Sequence, residues 1–257
     1  MRIALGLEYD GSAFCGWQTQ PAGCGVQDHL QRALEAFTTH PVEVTAAGRT
    51  DAGVHATSQV VHFDSDAERE AFSWVRGTNA NLDEAARVLW SAVVPEDFHA
   101  RYNAISRTYR YLLMDDAVAP ALLRKRIGWF HKSLDVDAMS HALVSLTGEH
   151  DFSGFRDAQC EAKSPVRTLH EARVARIGKL IVFSFRANAF LHHMIRNIVG
   201  AAVYVGAGRH PVSWMSDLLA MRDRRLAAPT FMADGLYLAG VEYDPALNLP
   251  AFREFPL

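Results

Sequence analysis

Ala47-Gly48-Arg49-Thr50-Asp51-Ala52-Gly53-Val54-His55-Ala56 sets one carboxylate, Asp51, in a turn of small residues. Strand-like runs flank it, Val42-Glu43-Val44-Thr45 before and Ser58-Gln59-Val60-Val61-His62-Phe63 after. A rigid sheet that presents a single acid at a tight connection is one way to aim a catalytic group. Asp and Gly are also ordinary turn formers. The turn alone therefore does not make Asp51 a catalyst.

Outward from this turn the hydrophobic period alternates between two and 3.6. Ile3, Leu5, Leu7 and Tyr9 alternate with Ala4, Gly6 and Glu8 as a strand does. After a loop rich in glycine, Val26, Leu30, Leu34 and Phe37 recur at helical spacing. Leu82, Ala86, Leu89 and Val93 mark a second helix ended by Pro95, and Phe98 to Tyr102 reads as a further strand. From Arg107 the pattern restarts, with Tyr109, Tyr111 and Leu113 on a strand. Met139, Leu143 and Leu146 give a helix that starts near Asp135 or Asp137. A hairpin over Leu169–Arg176 and Leu180–Ala187 turns at Gly178-Lys179. Phe190, Met194, Ile198 and Ala202 carry the strongest helical signal, Trp214, Leu218 and Met221 a short helix, and Leu236 to Tyr243 a closing strand. Short antiparallel-type connections make the class α+β. The expected organisation is two related sub-domains, 1–104 carrying Asp51 and 105–257, each a mainly antiparallel sheet flanked by helices. A binding cleft is expected between them.

The chain has 257 residues, 49% hydrophobic and 21% charged, with a formal net charge of −3. These values suit a globular protein. The N-terminus lacks the apolar run of a secretion signal. The longest apolar region, from Phe190 to Val205, is broken by His192, His193, Arg196 and Asn197, which argues against a membrane span. Cys15, Cys24 and Cys160 make neither a disulfide framework nor a zinc cluster of usual spacing, so a reducing, cytoplasmic compartment is expected. Charge is segregated: Arg101 to Arg126 is basic and Asp64 to Glu70 mostly acidic, which leaves room for a basic groove on an acidic protein.

No metal is expected. His192 and His193 are adjacent on the strongest helical run and would point about 100° apart. Nucleophile elbows and glycine-rich nucleotide loops are missing, so no cofactor is indicated. Arg196 lies on a helix whose apolar faces must be buried, with His192 and Gly200 four residues to either side. A guanidinium so placed needs a carboxylate or an anion, and Asp51 is one candidate. A snorkelling arginine is the plainer reading. Arg107-Thr108-Tyr109-Arg110-Tyr111 alternates guanidinium and phenol along a strand, which suits RNA: rings stack on bases and cations meet phosphates. Aromatic residues filling one sheet face would look the same.

Taken together these motifs resemble the tRNA pseudouridine(38–40) synthase family. The likeness runs nearly end to end, through Tyr9-Asp10-Gly11, Gly16-Trp17-Gln18, the Gly48–Ala56 turn and Asp97-Phe98-His99-Ala100-Arg101. It continues through Arg107–Tyr111, Ser164-Pro165-Val166-Arg167-Thr168, Phe190–Asn197 and Gly235-Leu236-Tyr237-Leu238. One departure is visible: Arg76–Asn81 lacks the Leu-Pro expected before the second helix. The resemblance implies a homodimeric isomerase of the pseudouridine synthase fold. It acts on uridines 38, 39 and 40 in the anticodon stem-loop of tRNA, without a cofactor. It implies that Asp51 is the catalytic carboxylate and Arg196 its counter-ion. Tyr109 stacks on the target uracil, Arg49 helps hold the flipped-out nucleotide, and Leu236 lines the pocket. The alternative is a non-catalytic RNA-binding protein, which gives the Arg49–Asp51 turn no purpose, since a carboxylate repels phosphate. An acid-dependent hydrolase would need a second carboxylate, for which Glu8 and Asp10 are candidates on paper.

Overall fold

A computed structural model describes residues 1–252. In chain order the regular elements are β1 (Arg2–Tyr9), α1 (Val26–Thr38), β2 (Thr45–Ala46), β3 (His55–Asp64), α2 (Ala71–Asn81), β4 (Ala86–Val94), β5 (Ser106–Asp115), β6 (Gly128–Phe130) and α3 (Val136–Leu143). They continue with β7 (Gly148–Asp151), β8 (Val166–Ile177), β9 (Leu180–Ala187), α4 (Met194–Gly206), α5 (Trp214–Met221) and β10 (Leu236–Glu242). The class is α+β, with mixed and mostly antiparallel strand pairing. Among the described residues, no helix is long and apolar enough to cross a membrane.

The chain divides into two compact units. The first is Met1–Arg107 with the described residues from Tyr237 onward, and the second is Thr108–Leu236. The expected division at 104/105 left the whole remainder in the second sub-domain. In the structure the C-terminal stretch instead lies with the first unit, because Tyr237 and Leu238 pair in parallel with His55 and Ala56 of β3. Residues 253–257 of that expected sub-domain lie outside the described residues.

In the first unit the strand order is β4-β1-β3-β10, with β2 beside the far end of β3. β1 is central and buried on both faces. Ile3, Leu5 and Leu7 share one face with Phe63, whose ring meets Trp74 of α2 at 5.4 Å. On the other face Ala4 joins Val60, Trp90, Phe98 and Tyr243. Gly6 is forced by this packing, since a Cβ there would come within 2.1 Å of the Trp90 ring.

Three local expectations need correction. Residues 86–94 are a strand, not a helix: Ala86, Val88 and Trp90 are buried at period two, while Val93 of the helical set is 65% exposed. The second helix instead covers Ala71–Asn81 and includes the stretch that departs from the family pattern. Trp74 and Thr78 are its buried residues, one turn apart. Phe98–Tyr102 is a turn, closed by Phe98 N–H donating to the Pro95 carbonyl and Asn103 N–H to that of His99. In addition, Cys15 and Cys24 are joined by a disulfide across the loop before α1, where no pairing was expected.

In the second unit the order is β5-β9-β8-β7, with β6 parallel to β5. The β8–β9 hairpin turns at Gly178, whose φ is +59°. Asp135 caps α3 by accepting from Ala138 N–H at 2.9 Å. α4 is the most buried helix, with Met194, Ile198, Ala201 and Ala202 fully enclosed. Gly206 lets it approach Met139 of α3, and Gly200 lets it approach the Pro229 carbonyl.

The first unit also holds a buried imidazole. His62 Nδ1 accepts the Ala100 N–H at 3.1 Å, which requires that nitrogen unprotonated. Burial, His99 and Arg2 push the His62 pKa down to about 4, against the pull of Asp64. A folded pKa below the unfolded value near 6.5 means the neutral form is favoured by folding. Its stabilising contribution is complete above pH 6.5 and is lost as pH falls through 4. Urea midpoints at pH 7 and pH 4.5 should fall more in the wild type than in His62→Gln; equal drops in both would count against this source of acid lability.

Candidate active site

Asp51 sits half-buried in a connection between β2 and β3 that four other segments hold in place. From the loop after β1, Trp17 N–H donates to the Thr50 carbonyl at 2.9 Å. From β1, the Tyr9 hydroxyl meets Thr50 Oγ1 at 2.8 Å. From β3, Gln59 Nε2 donates to the Gly48 carbonyl at 2.7 Å. From β5, Arg107 donates to the Ala47 carbonyl at 2.9 Å. Val54 N–H closes the turn onto the Asp51 carbonyl at 3.1 Å. Two glycines allow these approaches: a Cβ on Gly11 would lie 1.9 Å from the Val54 carbonyl oxygen, and Gly16, at φ +94°, sits against Thr50 and Ala52.

Neutral rings also pack around the loop. Burial pushes the Tyr9 phenol up to about 12, with Thr50 and Gln59 only partly offsetting it, so it stays neutral near pH 7. His55 is 1% exposed and stacks on Tyr237 with centroids 4.6 Å apart. Its Nδ1 lies 3.1 Å from both Gly11 N and Asp10 Oδ1. This imidazole ties β3, β10 and the loop after β1 beneath the turn. Arg49 is exposed on the same connection as Asp51.

The second unit carries Tyr109, Arg196 and Leu236. Tyr109 is buried on β5, edge-on to Phe190 at 5.1 Å. Arg196, in the first turn of α4, is clamped to one residue by both ends: its Nε donates to the Phe231 carbonyl at 2.8 Å, and its own carbonyl accepts Phe231 N–H at 3.2 Å. Arg196 and Gly200, four residues apart, thus both face the 228–231 segment. Next to it the Tyr111 phenol is raised well above its usual range by burial and then by Asp234, with Arg196 pulling the other way. Leu236 is buried at the start of β10.

Other polar groups of the structure take roles that the sequence did not show. Asn197 is fully buried and fully used: its Nδ2 donates to the Phe155 carbonyl, and its Oδ1 accepts from Arg224 and Thr230. His192 and His193 do not lie on α4. They precede it, with His193 at φ +59°, and their ring centroids are 3.9 Å apart. They therefore share one carboxylate, Asp157, at 3.6 Å and 2.7 Å from their respective Nδ1 atoms. Burial works to raise the Asp157 carboxyl, but the Gln159 amide and His193 outweigh it and hold the group below its usual range. Arg107 also differs from expectation. It is 8% exposed and spends its guanidinium on the carbonyls of Ala47, Arg101 and Ala104, so it serves the fold and not a phosphate.

A family profile described as tRNA pseudouridine synthase matches residues 7–103 and 142–244. The tRNA pseudouridine synthase A of Aromatoleum aromaticum is 58% identical over 250 residues, spanning 97% of this chain and 95% of the relative. That of Burkholderia lata is 56% identical over 250 residues, spanning 97% and 93%. Among solved structures, a chain of a Cbf5-Nop10-Gar1 complex aligns with 78% of this chain and 45% of its own, at 13% identity and a TM-score of 0.34.

Replacing Arg107 by Met keeps much of the side chain's length and strands three carbonyls. Leaving buried acceptors unpaired costs enough that Arg107→Met should lose roughly 2–4 kcal/mol of stability, read from urea unfolding. Arg107→Lys should recover only part of this, because an ammonium cannot reproduce the guanidinium fork.

Proposed function

This chain belongs to the tRNA pseudouridine synthase family, and on that premise we propose that it converts uridine to pseudouridine at positions 38, 39 and 40 of the tRNA anticodon stem-loop. The reaction is an isomerisation. The bond between uracil N1 and ribose C1′ breaks, the base turns, and C1′ bonds to C5. The hydrogen lost from C5 is balanced by one gained at N1, so nothing is oxidised or reduced and the residues themselves supply the chemistry.

Asp51 is the group that acts on the nucleotide, and the observation that carries this reading is the braced turn that presents it. Its carboxylate either attacks the sugar as a nucleophile or removes a sugar proton while the base is detached. Both routes need the ionised form and a fixed position. Arg196 has the role of favouring that ionised form. Tyr109 meets the uracil ring, Leu236 forms apolar wall, and Arg49 engages the flipped-out nucleotide. Extruding a base costs a few kcal/mol, and such stacking and charge contacts offset it. The enzyme works as a cytoplasmic homodimer in this reading.

Asp51→Asn removes the carboxylate with little change of volume. It should abolish pseudouridine formation in an unmodified tRNA transcript while leaving the thermal unfolding temperature and tRNA affinity near wild type. Pseudouridine appearing at 38–40 at the wild-type rate would overturn the assignment. Arg196→Ala should slow the single-turnover rate by roughly two orders of magnitude or more, about 3 kcal/mol of lost electrostatic support, with a smaller change in affinity.

A further inference from the structure

The turn at Phe98–Asn103 is held by hydrogen bonds from several segments, yet what it presents is a largely exposed tyrosine. Phe98 and Ala100 are its anchors, 2% and 0% exposed in the core of the first unit. Arg2 donates to the Phe98 carbonyl at 2.9 Å, and the Tyr243 hydroxyl donates to that of Ala100 at 2.6 Å. Arg107 donates to the Arg101 carbonyl. The His99 ring caps the turn from within: its Nδ1 accepts N–H groups from Arg101 and Tyr102 at 3.2 and 3.3 Å. Asn103 Oδ1 accepts the His99 N–H.

Tyr102 at the tip is 76% exposed. Burial cannot be its purpose, because an aromatic ring left mostly in water gains little from the hydrophobic effect. Its ring nevertheless has a fixed backing. His99 lies against it with centroids 4.2 Å apart and planes 32° apart, and His62 lies 4.8 Å behind His99. A series of rings thus runs from the core outward and ends in solvent. The exposed Arg101 guanidinium stands 5.8 Å from the Tyr102 centroid, farther than a tight stacking contact. His62, with its pKa near 4, stays uncharged at neutral pH, and burial followed by Arg2 lowers His99 as well. The backing is therefore aromatic and not cationic. Glu96 and Asp97, just before the turn, act on Arg2 and add negative charge nearby.

An aromatic face held on a hydrogen-bonded turn, one exposed cation and acidic flanks suit a single nucleobase with its adjoining phosphate better than a run of phosphates. RNA loops and ends expose such bases, and stacking on an aromatic face is tolerant of sequence. We propose that Tyr102, backed by His99, is a docking platform for an unpaired base of the RNA substrate other than the target uridine, with Arg101 taking the adjoining phosphate. This rests on the chain being a tRNA-modifying enzyme. It adds a contact that orients the RNA without touching the reacting nucleotide.

The test uses the full chain and an unmodified tRNA transcript, with binding measured by fluorescence anisotropy over a salt series and turnover by release of hydrogen from C5. Tyr102→Ala should bind roughly five- to hundredfold more weakly and raise KM by a similar factor, with kcat at saturation unchanged. Tyr102→Phe should bind as wild type does, because the ring face is kept. Arg101→Gln should reduce the slope of log affinity against log salt by about one. Circular dichroism and unfolding temperature should be unchanged in all three. Wild-type affinity in Tyr102→Ala overturns the platform, as does wild-type affinity accompanied by loss of a dimer, which would assign the ring to chain–chain contact. Failure of the wild type to convert any uridine of the transcript overturns the underlying reading instead.

Discussion

The buried guanidinium of Arg107 is the constraint on which the functional part of the first unit depends. Its donors reach the carbonyls of Ala104 and Arg101, three and six residues away, and that of Ala47, sixty residues away. One is the residue that enters the Asp51 turn, and another lies in the turn that carries Tyr102. A planar fork can serve several carbonyls at once, and enclosing it is tolerable only while those bonds are made. The cation is therefore a cross-link whose removal leaves buried acceptors unpaired on both turns. Tyr9, Thr50 and Gln59 complete the bracing from beneath, and Gly11 and Gly16 let neighbouring backbones come close enough for it to work. A carboxylate on a connection this short has little backbone freedom left, which is what the role proposed for Asp51 requires by either route.

Local periodicity carried most of the fold. Helices α1, α3 and α5, the β8–β9 hairpin and strand β10 stand where their apolar spacing puts them, because each has a distinct buried face or a glycine turn. The failures are instructive. In residues 86–94 almost every position is apolar, so a helical subset can be picked out as easily as an alternating one. Only pairing with β1, from Arg2 opposite Val94 to Tyr9 opposite Ala86, decides between them. Helix α2 hid because it buries just Trp74 and Thr78, with Gly77 seated under Phe37. The return of the C-terminal strand to the first unit is a long-range parallel pairing, and no local pattern encodes a partner.

The candidate residues divide the same way. The Asp51 turn was legible because small residues and an acid between two strands are a local signal. The identity of its supports was not, since Tyr9, Gln59 and Arg107 are drawn in from other segments by tertiary hydrogen bonds. Arg107 looked like a phosphate ligand because alternation on a strand says which face a residue takes, not whether that face is covered. His192 and His193 looked divergent on the assumption of helical geometry. A left-handed backbone at His193, ahead of the first turn of α4, lets both rings meet Asp157 instead.

The protonation states around the Asp51 turn follow from these supports. The role proposed for Asp51 needs its carboxylate ionised, and a phenolate bonded into the turn would oppose that. Tyr9 could become one, since its oxygen bonds directly to Thr50 Oγ1. Burial instead pushes its pKa to about 12, so across the physiological range it contributes a dipole and no charge. Gln59 and the backbone contribute in the same way. The turn is thus held by neutral donors and by the Arg107 cation, which donates to the carbonyl of Ala47 at the entry to the turn. Tyr9, Gln59 and Arg107 thus brace the turn without themselves placing a negative charge on it.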